Sequence, residues 1–226
     1  MDPDEQILCI PKSVWDDEVG DLQDSFLPGH RWFVDYFRPE DMQDQLVSPL
    51  KAAGQWKLRG EVEHNPDWLQ LIPYCVLEHA GQYALYRRAE ASGEKRLTGK
   101  VSIGVGGHVR KSDFGQDVLA VRGIEGFLDT ESEREIQEEF KVGLLANRIH
   151  LGWIYAPSTP VGRVHVGMVS IYEVAGGLLE PNSDEISEAW WADAQRLRGG
   201  DYRVMAQQME DWSQIVLGHV GEAFGR

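Results

Sequence analysis

The chain has 226 residues, of which 42% are hydrophobic and eight are tryptophan, so it is long enough to bury a core and fits one domain with an extension better than two full domains. Its formal net charge of −15 argues against a long nucleic acid as partner, because such binding depends on Lys and Arg neutralising many phosphates. A small phosphorylated substrate is compatible with this charge, since it needs only a local cluster of cations, a bound metal ion or backbone N–H groups.

Neither a membrane span nor a secretory signal can be recognised in the sequence. No run of about 18 apolar residues occurs, and the N-terminus from Met1 to Glu5 is acidic rather than basic. We therefore predict a cytoplasmic protein. Cys9 and Cys75 each lie in an apolar run typical of a strand, so we expect two buried thiols rather than a disulfide or a metal site.

Residues 1–65 are predicted to form an N-terminal extension, followed by the main domain over residues 66–226. The apolar run 7–10 predicts a strand, and the acidic stretch 15–42, which contains Pro28 and Pro39, predicts loops and short helices. This extension has no evident place in the core of the domain. That it mediates a homodimer is a hypothesis.

The main domain begins with β-rich segments. Strands are predicted over residues 71–80, 83–88, 100–105, 149–155 and 161–174. The first two surround Gly81 and predict a hairpin, and the third continues into Gly106, Gly107 and His108. An amphipathic segment at 205–224 predicts a closing helix.

One central helix is clearly marked. Thr130 and Glu133 have the spacing of a capping box, which predicts a helix from about Glu131 to Val142 that ends at Gly143. Strands interleaved with this helix and a closing helix predict an α+β fold, an α/β/α sandwich with a mixed sheet, rather than a doubly wound parallel sheet.

Four carboxylates share one face of the predicted helix: Glu131, Glu135, Glu138 and Glu139. Two such charges about 6 Å apart repel each other by roughly 3 kcal/mol at an effective dielectric near 20. A solvated acidic surface would tolerate this cost, and a divalent cation would reverse it. Oxygen ligands with this much charge favour Mg²⁺, or Mn²⁺ as the alternative, over zinc.

The order of residues 134–139, Arg-Glu-Ile-Gln-Glu-Glu, resembles the core of the Nudix box, Gly-x5-Glu-x7-Arg-Glu-U-x-Glu-Glu-x-Gly-U, in which U is aliphatic. In that family a strand that ends in a Gly-Gly turn precedes the box, as residues 100–107 do here. Segments 70–74, 85–88, 102–108 and 160–167 also resemble a subfamily of predicted Nudix phosphoesterases.

Outside this core the sequence departs from the family pattern. Gly126 stands where the box has its first Glu, Ala120 where it has its first Gly, and Lys141 where it has its second Gly. If Gly107 takes the part of the first Gly, the loop before the helix is longer than usual by 13 residues. The extra segment 110–123 would then either cover the substrate or form a surface insertion.

The resemblance implies a metal site and a reaction. Glu135, Glu138 and Glu139 would hold Mg²⁺ together with the backbone carbonyl of Gly106 or Gly107, and Arg134 would orient a neighbouring carboxylate through bidentate hydrogen bonds. The reaction would be attack of water on phosphorus in a nucleoside diphosphate derivative or a related phosphorylated small molecule.

The resemblance leaves several candidates for the general base and for the residues that bind the substrate phosphates. Glu135 is a candidate base, and the later carboxylates Asp184, Glu185 and Glu188 are alternatives. Candidates for substrate binding are Arg87, Arg88 and His108, although one of two successive strand arginines must point away from the site. His165 and Arg163 are open between a functional and a structural interpretation, and Glu131 is expected to be plain helix surface.

Two other functions remain open at this level. The departures at Gly126 and Lys141 would also suit a binding or regulatory module that keeps the fold without catalysis. An isomerase of the isopentenyl diphosphate type, which shares the fold, would need a nucleophilic cysteine, and Cys75 lies in an apolar run that does not suit this task.

Overall fold

The computed structural model describes residues 2–19, 53–89, 98–114, 119–193 and 208–223. The chain divides into two compact units. Unit 1 contains Met1–Pro73, Gly107–Glu131 and Gly152–Met168, and unit 2 contains Tyr74–Gly106, Ser132–Leu151 and Val169–Arg226.

The described strands are β1 Gln6–Pro11, β2 Gln55–Leu58, β3 Trp68–His79, β4 Gln82–Arg88, β5 Val101–Ser102, β6 Gly104–Gly106, β7 Phe140–Val142, β8 Leu145–Ile154, β9 His165–Val174, β10 Leu179–Pro181 and β11 Ile186–Asp193. The described α-helices are α1 Lys12–Val19, α2 Arg59–Val62, α3 Leu119–Glu139 and α4 Asp211–Ala223. Short 3₁₀ turns span Lys111–Asp113 and Gly162–Val164.

Unit 1 is built around β1. This strand pairs antiparallel with β2 and with the first part of β3, where Cys9 lies opposite Gln70. Leu8 and Ile10 pack into a core with Trp15 of α1 and Phe127 of α3, whereas Ile7 and Cys9 pack with Val62 in a second cluster. The apolar run 7–10 is thus a strand, as predicted, because a central strand buries both of its faces. The domain boundary at residue 65 stays a prediction, and residues 20–52, which include most of the acidic stretch, lie outside the described part of the chain.

Unit 2 is organised by β4, which pairs antiparallel with β3, β5 and β11, while β6 pairs with β3. The predicted hairpin is confirmed, and its turn lies at Ala80 and Gly81, both with positive φ. A separate two-stranded sheet joins β7 to β10. The core of unit 2 gathers around Ile136, Phe140 and Tyr86, so the end of α3 is anchored by its apolar side.

The central helix differs from the prediction at both ends. It begins at Leu119, so Thr130 lies inside the helix and the predicted capping box does not start it. It ends at Glu139, because Phe140 enters β7 and pairs with Pro181 of β10. Glu131, expected on the helix surface, is completely buried.

Other segments were predicted in part. The closing helix is α4, and the portion of the prediction before residue 208 lies outside the described residues. The insertion at 110–123 contains the 3₁₀ turn Lys111–Asp113 and the first residues of α3 rather than a continuous loop. Strands β2, β7, β10 and β11 were not predicted. None of the described helices is long and apolar enough to cross a membrane.

Both cysteines are buried free thiols, as predicted. Burial raises the pKa of Cys9 to about 12, which keeps it protonated at neutral pH. We therefore expect the native protein to react negligibly with a thiol reagent at pH 8, and both thiols to react in guanidinium chloride, because the thiolate is the reactive form. Titration with Ellman's reagent would measure this, and rapid reaction of one thiol in the native state would contradict the buried placement.

Candidate active site

The end of α3 is closed by the connection between β10 and β11. The backbone N–H of Asn182 donates to the carbonyl of Glu139 over 2.8 Å, and its side-chain amide donates to the carbonyl of Gln137 over 2.9 Å. The hydroxyl of Ser183 donates to the Glu139 carboxylate over 2.5 Å. The last carbonyl groups of a helix have no partner within the helix, and here Asn182 donates hydrogen bonds to two of them. Glu139 is thereby held at the junction of α3 and β11.

Arg134 pairs with two carboxylates of the same helix. It donates through Nη2 to Glu135, and its Nη1 lies 2.7 Å from Glu138 Oε2. The sequence predicted a bidentate bond to a single carboxylate, whereas in the structure each terminal nitrogen of the guanidinium contacts a different carboxylate. A pair four residues apart on a helix is a geometry that α3 supplies by itself.

Glu139 is half-buried in a cluster of charges. Burial raises the pKa of this carboxyl, the hydrogen bond from Ser183 lowers it, and the charges of Glu185 and Glu138 raise it again. Arg88 opposes this rise as the neighbouring cation. A negative charge at Glu139 is therefore costly in the protein alone, and a nearby cation would stabilise it.

The two successive arginines of β4 have different partners. Arg88 lies near Glu139, within 3.9 Å of Glu185 and 3.7 Å of Glu210. Arg87 instead binds Glu188 over 2.7 Å and the carbonyl of Gly99 over 3.0 Å. Because side chains alternate along a strand, only one of the two can face the carboxylates of α3. That one is Arg88.

Arg88 contacts a buried polar network, centred on Glu210, that was not predicted. Glu210, which directly precedes α4, is buried and accepts hydrogen bonds from Ser102, Ser213 and Tyr74. Burial, and then the charge of Glu210, raises the pKa of Tyr74, which remains a phenol. No local pattern marks Glu210, because its importance comes from contacts between α4 and the strands β3 and β5.

His108 belongs to a histidine pair inside unit 1. His165 Nδ1 lies 2.8 Å from the carbonyl of Val161 and is therefore the protonated nitrogen, which leaves Nε2 as an acceptor. His108 Nε2 lies 3.3 Å from that atom and 2.8 Å from Gln70 Oε1, so its N–H donates toward both. Burial, and then the charge of Arg59, lowers the pKa of His108 well below its usual range, so the ring is neutral at pH 7.

The other residues predicted for the site lie on or directly beside β6, β9 and β11. Gly106 closes β6 opposite Tyr74, and Gly107 follows it directly. Of the late carboxylates, Glu185 contacts the site through Arg88, whereas Glu188 is engaged by Arg87. Arg163 is exposed and donates to the carbonyl of Pro157 over 3.1 Å. The metal, base and substrate assignments stay predictions.

The donors at the end of α3 suit a hard divalent cation. They are carboxylate oxygens, and burial together with the charges of Glu185 and Glu138 raises the pKa of Glu139, so a bound cation would stabilise its charged form. Among the described residues, no three acidic, histidine or cysteine side chains are already arranged as ligands. Arg134 pairs with Glu135 and Glu138, so coordination by these two would require their release from the guanidinium.

Comparison with known proteins identifies the fold. No family model matches the chain. It is 27% identical over 215 residues to Protein YmaB of Bacillus subtilis, a likeness that covers 95% of this chain and 96% of that protein. The crystal structure of Tm1382, a candidate Nudix hydrolase, matches with a TM-score of 0.72 and 23% identity, over 97% of this chain and 100% of Tm1382.

A MutT Nudix hydrolase from Burkholderia pseudomallei is more distant, with a TM-score of 0.46 and 18% identity over 67% of this chain and 97% of that one. The likeness to Tm1382 thus extends over nearly the whole chain. The protein therefore has the Nudix fold, and the α+β fold predicted from the order of strands and helices is confirmed.

Proposed function

We propose that this protein is a Mg²⁺-dependent hydrolase that cleaves a diphosphate linkage in a nucleoside diphosphate derivative or a related phosphorylated small molecule. The observation that carries the proposal is the charge cluster at the end of α3. A half-buried Glu139 stands there with Glu138, Glu185 and Arg88, on a Nudix fold whose helix bears the Arg-Glu-U-x-Glu-Glu motif.

In this proposal Glu135, Glu138 and Glu139 bind the metal ion, with Mn²⁺ as an alternative to Mg²⁺, and a carbonyl at Gly106 or Gly107 contributes a further oxygen. When bound, the ion would neutralise charge on the phosphate oxygens. Arg134 would hold Glu135 and Glu138 in place before binding. This arrangement is supported by the ion pairs that Arg134 makes with both carboxylates.

Arg88 is the stronger candidate for the phosphate ligand, because it lies among the carboxylates of the site while Arg87 is bound to Glu188. Glu185 becomes the leading alternative to Glu135 as general base. It is partly exposed and neighbours Glu139, so its oxygens are open to a water molecule. His108 is a weaker candidate for direct substrate binding, because its Nε2 already faces Gln70 and His165.

The test is turnover on a panel of diphosphate compounds, including nucleoside diphosphate sugars, ADP-ribose and dinucleotides, with Mg²⁺, with Mn²⁺ and with EDTA. We expect release of phosphate or nucleotide that requires the metal. Binding of a panel compound without any turnover would replace the hydrolase by a ligand-binding module, which Gly126 and Lys141 would then explain. The isomerase alternative is disfavoured because Cys75 is completely buried.

We also propose a role for residues 1–65 and a cellular location. Residues 1–65 are proposed as an extension with a part in homodimer formation, and the protein is proposed to act in the cytoplasm. For the first, we expect a mass of two chains in multi-angle light scattering at high protein concentration. A mass near 25.5 kDa at every concentration would remove the dimer.

A further inference from the structure

Glu210 is a buried carboxylate whose two oxygens have separate tasks. Its Oε1 accepts hydrogen bonds from Ser102, from Ser213 over 3.1 Å and from Tyr74 over 3.4 Å. Its Oε2 faces Arg88 Nε at 3.7 Å. The side chain retains only 9% of its exposure, so its charge is held in place by hydroxyl groups and by one guanidinium rather than by water.

The network around Glu210 is itself anchored to the backbone. Ser213 accepts from the N–H of Ile103 over 3.1 Å, and Ser102 also reaches the carbonyl of Gly104 over 2.9 Å. Tyr74 and Ser213 are joined over 2.8 Å. Gly104 packs against Tyr74 so closely that an added Cβ would lie 2.1 Å from its ring. The hydrogen bonds that hold Oε1 of Glu210 are thus tied to the backbone, and they fix the direction in which Oε2 points.

Arg88 is held by charge at distances longer than hydrogen bonds. Its Nε lies 3.7 Å from Glu210 and its Nη1 lies 3.9 Å from Glu185, and both separations exceed the range of an N–H···O bond. Its Nη2 donates to the hydroxyl of Tyr86 over 3.4 Å. In the part of the chain that the structure describes, the buried Nε–H has no hydrogen-bond partner. The neighbouring carboxylates therefore position the guanidinium by charge, while its Nε–H is still available to donate a hydrogen bond to a ligand.

We propose that Glu210 is a positioning residue that holds the Arg88 guanidinium beside Glu139 to receive a diphosphate group. This inference rests on the proposed function for the identity of the ligand. The side chain of Glu185 is 44% exposed and that of Glu210 only 9%, so the buried Glu210, which is held by hydrogen bonds, sets the position of the Arg88 guanidinium. A guanidinium already in place loses less conformational freedom when the phosphate arrives.

The experiment is a double-mutant cycle read by calorimetry, with inorganic pyrophosphate and Mg²⁺ as the probe. The proteins are the native chain, Glu210→Gln, Arg88→Met and the double variant, and kcat and KM are measured on any substrate found. Glu210→Gln keeps an acceptor for the hydroxyl groups but removes the charge that faces Arg88. We expect about tenfold weaker pyrophosphate binding, a raised KM with little change in kcat, and no further loss when Glu210→Gln is added to Arg88→Met.

Two variants separate positioning from a general loss of structure. Glu173→Gln removes an exposed carboxylate of β9 that binds Asn147, and it should bind pyrophosphate like the native chain. Ser213→Ala removes one hydrogen bond from Glu210 while the charge stays, and it should give a smaller loss of affinity, so it serves if Glu210→Gln does not fold. Melting temperatures are recorded for every variant.

The outcomes divide cleanly between the two proposals. Native affinity in Glu210→Gln, losses that multiply in the double variant, or absence of pyrophosphate binding by the native chain would each overturn the positioning residue. Coupled losses of pyrophosphate affinity without turnover on any diphosphate compound would support the positioning residue and remove the hydrolase.

Discussion

Replacing Glu139 with Gln is expected to lower metal-dependent turnover at least about 100-fold. Loss of a side chain that merely supports a metal ligand typically costs 10–100-fold, and a direct ligand should cost more. Glu139 is the half-buried carboxylate of the cluster, and the amide keeps its shape and its bond from Ser183 while removing its charge. The protein should therefore stay folded while its affinity for Mg²⁺ falls.

The measurement is kcat/KM across a Mg²⁺ titration, together with metal binding by calorimetry. Glu133→Gln is the matched control, because Glu133 is an exposed carboxylate of the same helix, and its turnover should equal that of the native chain. The melting temperature of Glu139→Gln without metal should equal or exceed that of the native protein, since a costly charge has been removed. Turnover in this variant within threefold of native would refute Glu139 as a metal ligand.

Replacing Phe140 with Ala is expected to destabilise the protein by about 3–5 kcal/mol, the usual cost of removing a buried aromatic ring. Phe140 is only 2% exposed, and its ring packs edge-on against Tyr86 with centroids 5.4 Å apart. It also begins β7 directly after Glu139. The cavity would lie beneath the proposed metal site, so a loss of turnover should accompany the loss of stability.

Urea denaturation monitored by tryptophan fluorescence would give the free energy of unfolding. Phe140→Leu, which fills more of the space, should lose less than Phe140→Ala, and Leu144→Ala should change stability by no more than about 0.5 kcal/mol because Leu144 is 75% exposed. A loss below about 1 kcal/mol in Phe140→Ala would show that the ring does not support this core.

Much of the candidate site could be predicted because it depends on local spacing. The helical repeat alone places Glu135, Glu138 and Glu139 on one face of α3, and the hairpin that carries Arg87 and Arg88 follows from two β-rich runs around Gly81. The alternation of a strand also required that one arginine point away. Which arginine does so depends on Glu188, Glu185 and Glu210, which are distant in sequence.

Errors arose where tertiary contacts override local signals. Thr130 and Glu133 have the spacing of a cap, yet α3 continues through them, because Phe127 and Leu128 are buried in the core of unit 1 and hold the preceding turns in place. Likewise, the helix stops at Glu139 rather than at Gly143 because Phe140–Val142 pairs with β10. A local pattern has no access to a partner strand some forty residues away.

By itself, the sequence determined the Nudix fold, the carboxylate face of α3 and the buried thiols, because each depends on residue type at short, regular spacing. Only the tertiary structure decided that Arg88 rather than Arg87 joins the carboxylates, that Asn182 and Ser183 close the end of α3, and that Glu210 lies behind Arg88. These contacts join residues far apart in the chain, and their strength comes from burial and from charge proximity, neither of which exists until the strands and helices have packed.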